Sequence, residues 1–292
     1  MSCVSYRQKI EQNSRAEQVP SSTLMVTGEG EERATVRLRG GVLTSLYLHA
    51  RRTNKPRKVL YSSDGELTET RPVASHPMSP VGFAGAPGGE YGPILYDDFK
   101  VMKDHRQKDN YLLLATEEGG GAPCSFRRSL LLMPHHLEFV TGLRNNTGSP
   151  IGTSIGEALY FPLAGSAADI RLGGKHPNDV FADDVVARID AGQRVVLPNW
   201  SGSTIIDLSP DTRIRVSAKD GIWSENLGPM ALGMRMRQDR HDGETICLEP
   251  LYGVHLESEP GGPVMPDAQM CANGLYVAAK HGASLSTRIE LL

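Results

Sequence analysis

Residues 137–144 have the sequence Leu-Glu-Phe-Val-Thr-Gly-Leu-Arg, and this stretch decides the fold class. Leu137, Phe139, Thr141 and Leu143 occupy every second position, with Glu, Val, Gly and Arg between them. A period of two is typical of a β-strand with one buried face. The stretch is therefore predicted to be a half-buried strand.

The same alternation occurs in Arg213–Ser217 and in Leu285–Leu291. Turn signals recur throughout the chain, which contains 31 Gly and 19 Pro, and long amphipathic helical patterns are scarce. Further predicted strands are Ala34–Arg39, Val42–Leu48, Tyr111–Thr116, Phe126–Met133, Arg194–Leu197, Ser203–Leu208, Ala231–Met236, Thr245–Glu249 and Leu275–Ala278. Many short strands with little helix predict an all-β antiparallel sandwich or barrel.

One segment, Arg71–Gly92, is crowded with Pro and Gly and also contains His76, Phe83 and Tyr91. A loop of this length in a compact domain is usually functional or disordered. We expect a functional loop over a ligand cleft.

Composition limits the function classes. The 292 residues are 39% hydrophobic and 22% charged, which is typical of a globular chain. A net charge of −3 gives no general attraction to nucleic acid or anionic lipid, so neither is an expected partner. We expect a flexible tail over residues 1–22 and a single domain over residues 23–292.

The first twenty residues carry charges throughout and lack the apolar run of a signal peptide. The expected location is cytoplasmic. The four cysteines, at positions 3, 124, 247 and 271, are scattered and are expected to be free thiols. No metal ligand set is predicted, since the acidic loop around His176 has no compact spacing, and no cofactor is expected.

Several motifs in order resemble the aldose 1-epimerase, or galactose mutarotase-like, superfamily. Residues 40–46 (Gly-Gly-Val-Leu-Thr-Ser-Leu) are similar to a strand pair in which the chain turns closely on a glycine. Residues 137–150 with Tyr160-Phe161 resemble a strand leading into an "H-x-Y-F" motif, and residues 246–250 (Ile-Cys-Leu-Glu-Pro) resemble "l-C-x-E-P". Asn273-Gly274 and the final strand resemble the closing segment of the family, so the likeness covers roughly residues 24–292.

The resemblance implies a galactose-mutarotase-like β-sandwich that binds a sugar in an open cleft. It also implies that Glu249 is the general base. The strand pattern agrees: if Ile246 and Leu248 point into the core, Thr245, Cys247 and Glu249 lie on the opposite face. The alternative is a surface glutamate at a strand end before Pro250.

Two departures from the family motifs affect the expected chemistry. Ala158 stands where the resemblance would place a catalytic histidine, and Tyr91-Gly92 stands where it would place "H-G". Mutarotation needs a base and an acid on opposite sides of one bond. Tyr91 is therefore the candidate substitute acid, and a relocated histidine is the other possibility.

Sugar binding also requires hydrogen-bonding side chains and an aromatic platform. The candidate substrate-binding residues are Arg71, His76, Asp98, Glu157, Trp200 and Tyr252. Besides His76, the histidines at 105, 176 and 255 are possible relocated acids, although each alone is more simply a solvated or structural residue. Arg71, Arg106 and Arg127 leave open an anionic sugar such as a hexose phosphate.

Two functional hypotheses follow. The first is an isomerase of the aldose 1-epimerase type acting on a hexose or hexose derivative. The second is a divergent member that binds a carbohydrate or other polyhydroxylated ligand without mutarotation, or catalyses a different proton transfer. Either would act on a small molecule as a monomer or homodimer, and a purely structural sandwich is a third possibility.

Overall fold

The structure is a computed structural model. It describes residues 23–51, 56–61, 74–79, 92–102, 109–116, 123–163, 170–172, 175, 183–197, 200–220, 230–239, 243–253, 255–256, 270–271 and 275–292. The predicted tail, Met1–Ser22, lies outside these residues, so the division into a tail and one domain stays a prediction.

Antiparallel strands make up most of the described chain. The first are β1 Thr23–Thr27, β2 Arg33–Arg37, β3 Val42–His49, β4 Pro56–Lys58, β5 His76–Met78, β6 Lys100–Val101 and β7 Tyr111–Ala115. The next are β8 Cys124–Met133, β9 His136–Asn145, β10 Ile151–Thr153, β11 Ile155–Leu163, β12 Arg171–Leu172, β13 Val195–Leu197 and β14 Ser203–Ser209. The last are β15 Thr212–Asp220, β16 Met230–Asp239, β17 Gly243–Tyr252, β18 His255–Leu256, β19 Met270–Cys271, β20 Leu275–Val277 and β21 Gly282–Leu291.

Helical structure in the described chain is brief. A 3-10 helix spans Pro93–Tyr96, and one α-helix, α1, spans Asp183–Asp190. The helix α1 packs Val185, Val186 and Ile189 against the core. Within the described residues, no helix is both long and apolar enough to cross a membrane.

The strands form three main sheets. Their orders are β1-β2-β3-β4, β13-β16-β17-β11-β5 and β12-β14-β15-β21-β9-β8-β7-β6, and two further pairs join β10 to β20 and β18 to β19. Every predicted strand lies within, or overlaps, one of these elements. The all-β antiparallel prediction is therefore confirmed.

The main core lies between the inner faces of these sheets. The alternation predicted for residues 137–144 is present, because Leu137, Phe139 and Leu143 join the core while Glu138 is only half-buried. In β17, Ile246 and Leu248 point into the same core. Period-two alternation therefore determines which side chains face inward in both large sheets.

The close turn predicted at the start of the chain is also present. Gly40 has φ +73, and a Cβ atom there would lie 2.4 Å from the carbonyl oxygen of Leu95. A left-handed backbone and this close approach together require glycine.

One prediction about the loop Arg71–Gly92 needs correction. Within it, His76–Met78 forms the edge strand β5, which pairs with β11. Three residues containing a proline carry no periodic signal, and proline is tolerated in an edge strand because the missing N–H is not needed for pairing. The other residues of that segment lie outside the description except 74–79 and Gly92.

Strand β21 carries a buried carboxylate that predicts acid sensitivity. Arg51 Nη2 donates to Glu290 Oε1 at 2.6 Å, and Arg215 Nη1 donates to Oε2 at 2.9 Å. Burial alone would raise the pKa of Glu290, but the Arg51 hydrogen bond and the charges of Arg215, Arg288 and Arg51 leave it below its ordinary value of 4.5.

A lowered pKa in the folded state means that this stabilisation is complete above pH 4.5 and is lost as the pH falls through the folded-state pKa. Because both arginines are partly exposed, we expect Glu290→Gln to cost only about 1 kcal/mol at neutral pH. Urea denaturation from neutral pH to pH ~3 measures this, and the variant should lose less stability on acidification than the parent. An identical acid slope in both proteins would contradict the assignment.

Candidate functional site

A row of residues crosses the outer face of the five-stranded sheet. His76 of β5 lies directly opposite Ala158 of β11. The pairs Leu159 with Leu248 and Gly156 with Leu251 set the β11–β17 register, which aligns Ala158 with Glu249. Gly233 of β16 then lies opposite Glu249 and Val196 of β13 opposite Gly233.

Side chains along this row point away from the main core. Ala158, Tyr160, Cys247, Leu251 and Val196 form a second apolar cluster on this face. Glu249 is on the same face, because its carboxylate oxygen Oε1 is 3.7 Å from the Cys247 thiol, which donates to it. The predicted facing of Glu249, opposite Ile246 and Leu248, therefore matches the geometry.

Arg194 forms an ion pair with Glu249. Its Nε lies 2.5 Å from Oε2, and its Nη2 donates to Oε1 at 3.4 Å. Arg194 directly precedes β13 and reaches across β16 to β17. A Cβ atom on Gly233 would lie 2.9 Å from Glu249 Oε2, so the glycine leaves the space that the ion pair occupies.

His76 is fixed from two sides. Its Nδ1 is 2.7 Å from the carbonyl oxygen of Ala74, and its ring stacks on Tyr160 with centroids 5.9 Å apart. A carbonyl only accepts hydrogen bonds, so Nδ1 carries the hydrogen. The nitrogen that can gain or release a proton is then Nε2.

The site is enclosed in this structure. His76 and Glu249 have no exposed surface, and Arg194 is buried. Apolar residues from other parts of the chain, including Val42, Tyr61 and Leu95, belong to the cluster on this face. The sequence predicts an open cleft around Glu249, whereas the carboxylate here is covered.

The structure places Glu157 elsewhere, on the inner face of β11. Arg128 Nη1 donates to both of its carboxylate oxygens at 3.0 Å, and the Thr141 hydroxyl also donates to it. Burial raises the pKa of Glu157, while the Arg128 charge and the hydrogen bonds from Thr141 and Arg128 oppose that rise. This ion pair joins the two large sheets inside the core.

Three other candidates also lie outside the row. Tyr252 is fully buried in the main core, on the face of β17 opposite Glu249. Trp200 packs against that core, and its Nε1 donates to Thr204 at 2.8 Å. Asp98 is exposed, and its backbone forms a bridge to Arg39.

Several predicted residues cannot be placed. Tyr91, Arg71, His105, Arg106 and His176 lie outside the described residues, and for His255 only the backbone is described. Arg127 is described and lies on the outer face of the eight-stranded sheet, away from Glu249. In the described part of the chain, no group of three or more His, Cys, Asp or Glu could hold a metal ion.

Arg194 is a site residue that none of the sequence motifs contains. It is 55 positions from Glu249 in sequence, and the two strands meet only through β16. A charged residue immediately before the apolar run Val195–Leu197 was the available signal. Its partner could not be deduced without the strand order.

The architecture defines a class: a large antiparallel sandwich with a buried ionic site on the outer face of its five-stranded sheet. A galactose mutarotase-like protein from Lactobacillus casei has this fold, with a TM-score of 0.63 at 14% identity over 92% of this chain and 100% of that one. A galactose mutarotase-like protein from Clostridium acetobutylicum gives a TM-score of 0.60 at 14% identity over 93% and 95%. Galactose 1-epimerase from Lactobacillus acidophilus gives 0.57 at 10% identity over 99% of both chains.

This chain therefore has the galactose mutarotase-like fold. No protein-family model matches the sequence, and no curated protein matches it.

Proposed function

We propose that the protein is a carbohydrate-active isomerase of the aldose 1-epimerase type, which interconverts the anomers of a hexose or hexose derivative at the row around Glu249. Glu249 is the general base and His76 the substituted acid. The supporting observation is the register, in which His76 and Glu249 lie on either side of Ala158 on one face. A histidine one strand away thus substitutes for the one missing at position 158.

The two groups suit the chemistry of anomer exchange. Glu249 removes the proton of the anomeric hydroxyl while His76 Nε2 protonates the ring oxygen, so that the ring C–O bond breaks and a carbonyl forms. After the carbonyl face turns, both proton transfers reverse and the ring closes. Strands two apart are separated by about 10 Å, so the acid and the base approach the sugar from different sides.

Arg194 orients the base in this mechanism. Its guanidinium contacts both carboxylate oxygens of Glu249 and limits the rotation of that side chain. Ala158 and Gly233, which flank Glu249 on the neighbouring strands, leave space beside its carboxylate because they carry little or no side chain. Tyr91 remains the other candidate acid, and Arg71 and Asp98 remain candidate sugar-binding residues.

A second function is favoured by a different observation. Glu249 is fully buried and already contacted by Arg194 and Cys247, which suits a structural carboxylate more than an accessible base. On this reading the protein binds a carbohydrate or another polyhydroxylated ligand without exchanging its anomers. If the protein binds a sugar but does not accelerate the exchange of its anomers, this second function is the correct one.

The rate of anomer exchange tests the proposal directly. NMR exchange spectroscopy or polarimetry on D-glucose, D-galactose and their 6-phosphates should show acceleration by the protein. Glu249→Gln should reduce that acceleration by about 10²–10⁴, because the amide cannot accept the proton. The matched control is Glu31→Gln, which changes an exposed carboxylate and should leave the rate unchanged.

Two results would reject the isomerase. One is no acceleration for any of these sugars by a protein that binds them. The other is equal acceleration by Glu249→Gln and the parent.

A further inference from the structure

A second candidate site lies on the outer face of the eight-stranded sheet, on the side of the sandwich opposite Glu249. It is a groove of about 180 Å³. Three of its seven lining residues are cationic, namely Arg127, Arg144 and Lys280, and none is acidic. The groove is unrelated to the row around Glu249.

Strand alternation explains why the two arginines face outward. Phe126 and Leu143 belong to the main core, so Arg127 and Arg144, their neighbours in β8 and β9, point the other way. Both arginines are exposed. Their side chains therefore lie at the surface of the groove.

Glycines provide the floor. Arg127 lies directly opposite Gly142, and Arg144 lies directly opposite Gly282. A Cβ atom on Gly282 would lie 2.8 Å from the Leu143 carbonyl oxygen. Because each arginine has a glycine beside it on the next strand, a trough remains between the cationic side chains.

Lys280 supplies the third charge from an unusual backbone conformation. Its φ is +65, the only positive φ of a non-glycine residue in the described chain. Its Nζ donates to the carbonyl oxygen of Asn146 at 2.5 Å. A left-handed lysine is uncommon, and this one lies in the turn between β20 and β21.

We infer that this groove is an anion site that binds a phosphate group, either as inorganic phosphate or as a phosphate monoester. Arginine guanidinium groups match phosphate oxygens in pairs of parallel hydrogen bonds, and lysine adds a point charge. The Ser125 hydroxyl also lines the groove and donates to Asn146 Oδ1 at 3.3 Å. The groove is smaller than the roughly 300–1,000 Å³ clefts that enclose whole drug-sized ligands, and thus suits one charged group of a molecule.

The test is isothermal titration calorimetry of the whole protein at low ionic strength, with inorganic phosphate and glycerol phosphate as probes. Arg144→Gln should weaken binding by about 10-fold or more, because charge-assisted hydrogen bonds are lost. Gly142→Val should weaken phosphate binding by a similar factor. The valine side chain fills the trough, while all three cationic side chains remain in place. The control is Arg171→Gln, which removes an exposed arginine on the far edge strand β12 of the same sheet.

The two probes distinguish the sources of the phosphate. Tighter binding of glycerol phosphate assigns the site to an ester, and equal or weaker binding assigns it to free phosphate. Binding should also weaken as salt is added, since the arginines are exposed. Circular dichroism melts confirm that each variant is folded.

The inference is overturned if neither probe binds at millimolar concentration. It is also overturned if acetate binds as well as phosphate, or if Arg171→Gln weakens binding as much as Arg144→Gln. Loss of anomer exchange in Glu249→Gln has no bearing on it, because the two sites share no residue.

Discussion

Replacement of Glu157 by glutamine is expected to lower the free energy of unfolding by about 3–5 kcal/mol. The amide keeps the shape of the side chain but removes its charge. Arg128 then remains as a fully buried cation, with Nε and Nη2 already lacking hydrogen-bond partners in the described structure. The Phe139 ring, 4.9 Å from its guanidinium carbon, can offset only about 0.5–2 kcal/mol.

Removal of both charges should lower the free energy of unfolding far less than removal of one. A double variant, Arg128→Met with Glu157→Met, eliminates the desolvation penalty of the whole pair, and buried pairs replaced by apolar residues are often neutral or more stable by about 1–4 kcal/mol. Urea denaturation of the parent, both single methionine variants and the double variant gives the coupling. Glu31→Gln, at an exposed site, should stay within about 0.5 kcal/mol of the parent.

Equal losses in the single and double variants would contradict this account. Equal losses would mean that the lost packing volume, and not the unpaired charge of Arg128, determines how far the free energy of unfolding falls.

The alternation that predicted the fold also contained the signal for Glu157. Ile155, Leu159 and Phe161 are core residues at odd positions of β11, and Glu157 belongs to the same face. The same rule applied to β17 places Tyr252 with Ile246 and Leu248, inside the core. The nearby family-like motifs predict that both residues bind the ligand, whereas the period of two indicates that both face the core.

Glu249 was predictable and its partner was not. Its face follows from Ile246 and Leu248, which are adjacent in sequence and apolar. The contact with Arg194 depends on the order β13-β16-β17, and strand order is set by long-range packing that local patterns do not encode. His76 is a candidate from the sequence, but its strand could not be predicted, since a three-residue strand containing Pro77 has no period to detect.

A pair of substitutions at His76 is expected to separate acid catalysis from simple hydrogen bonding. Asparagine places its amide nitrogen near the position of Nδ1 and can keep the bond to the Ala74 carbonyl, but it has no atom at the position of Nε2. Glutamine places its amide near Nε2 and can hydrogen-bond a sugar there, but it cannot transfer a proton at neutral pH. If His76 is the general acid, both variants should lose about 10²–10⁴ in kcat/KM for anomer exchange.

Measurements of folding and of sugar binding on both His76 variants complete this test. His281→Asn, at an exposed histidine, is the matched control and should retain the parent rate. Retention of activity by His76→Gln alone would make His76 a hydrogen-bonding residue and leave Tyr91 as the acid. Parent activity in both variants would remove His76 from the mechanism, because neither amide can replace imidazole in proton transfer at the ring oxygen.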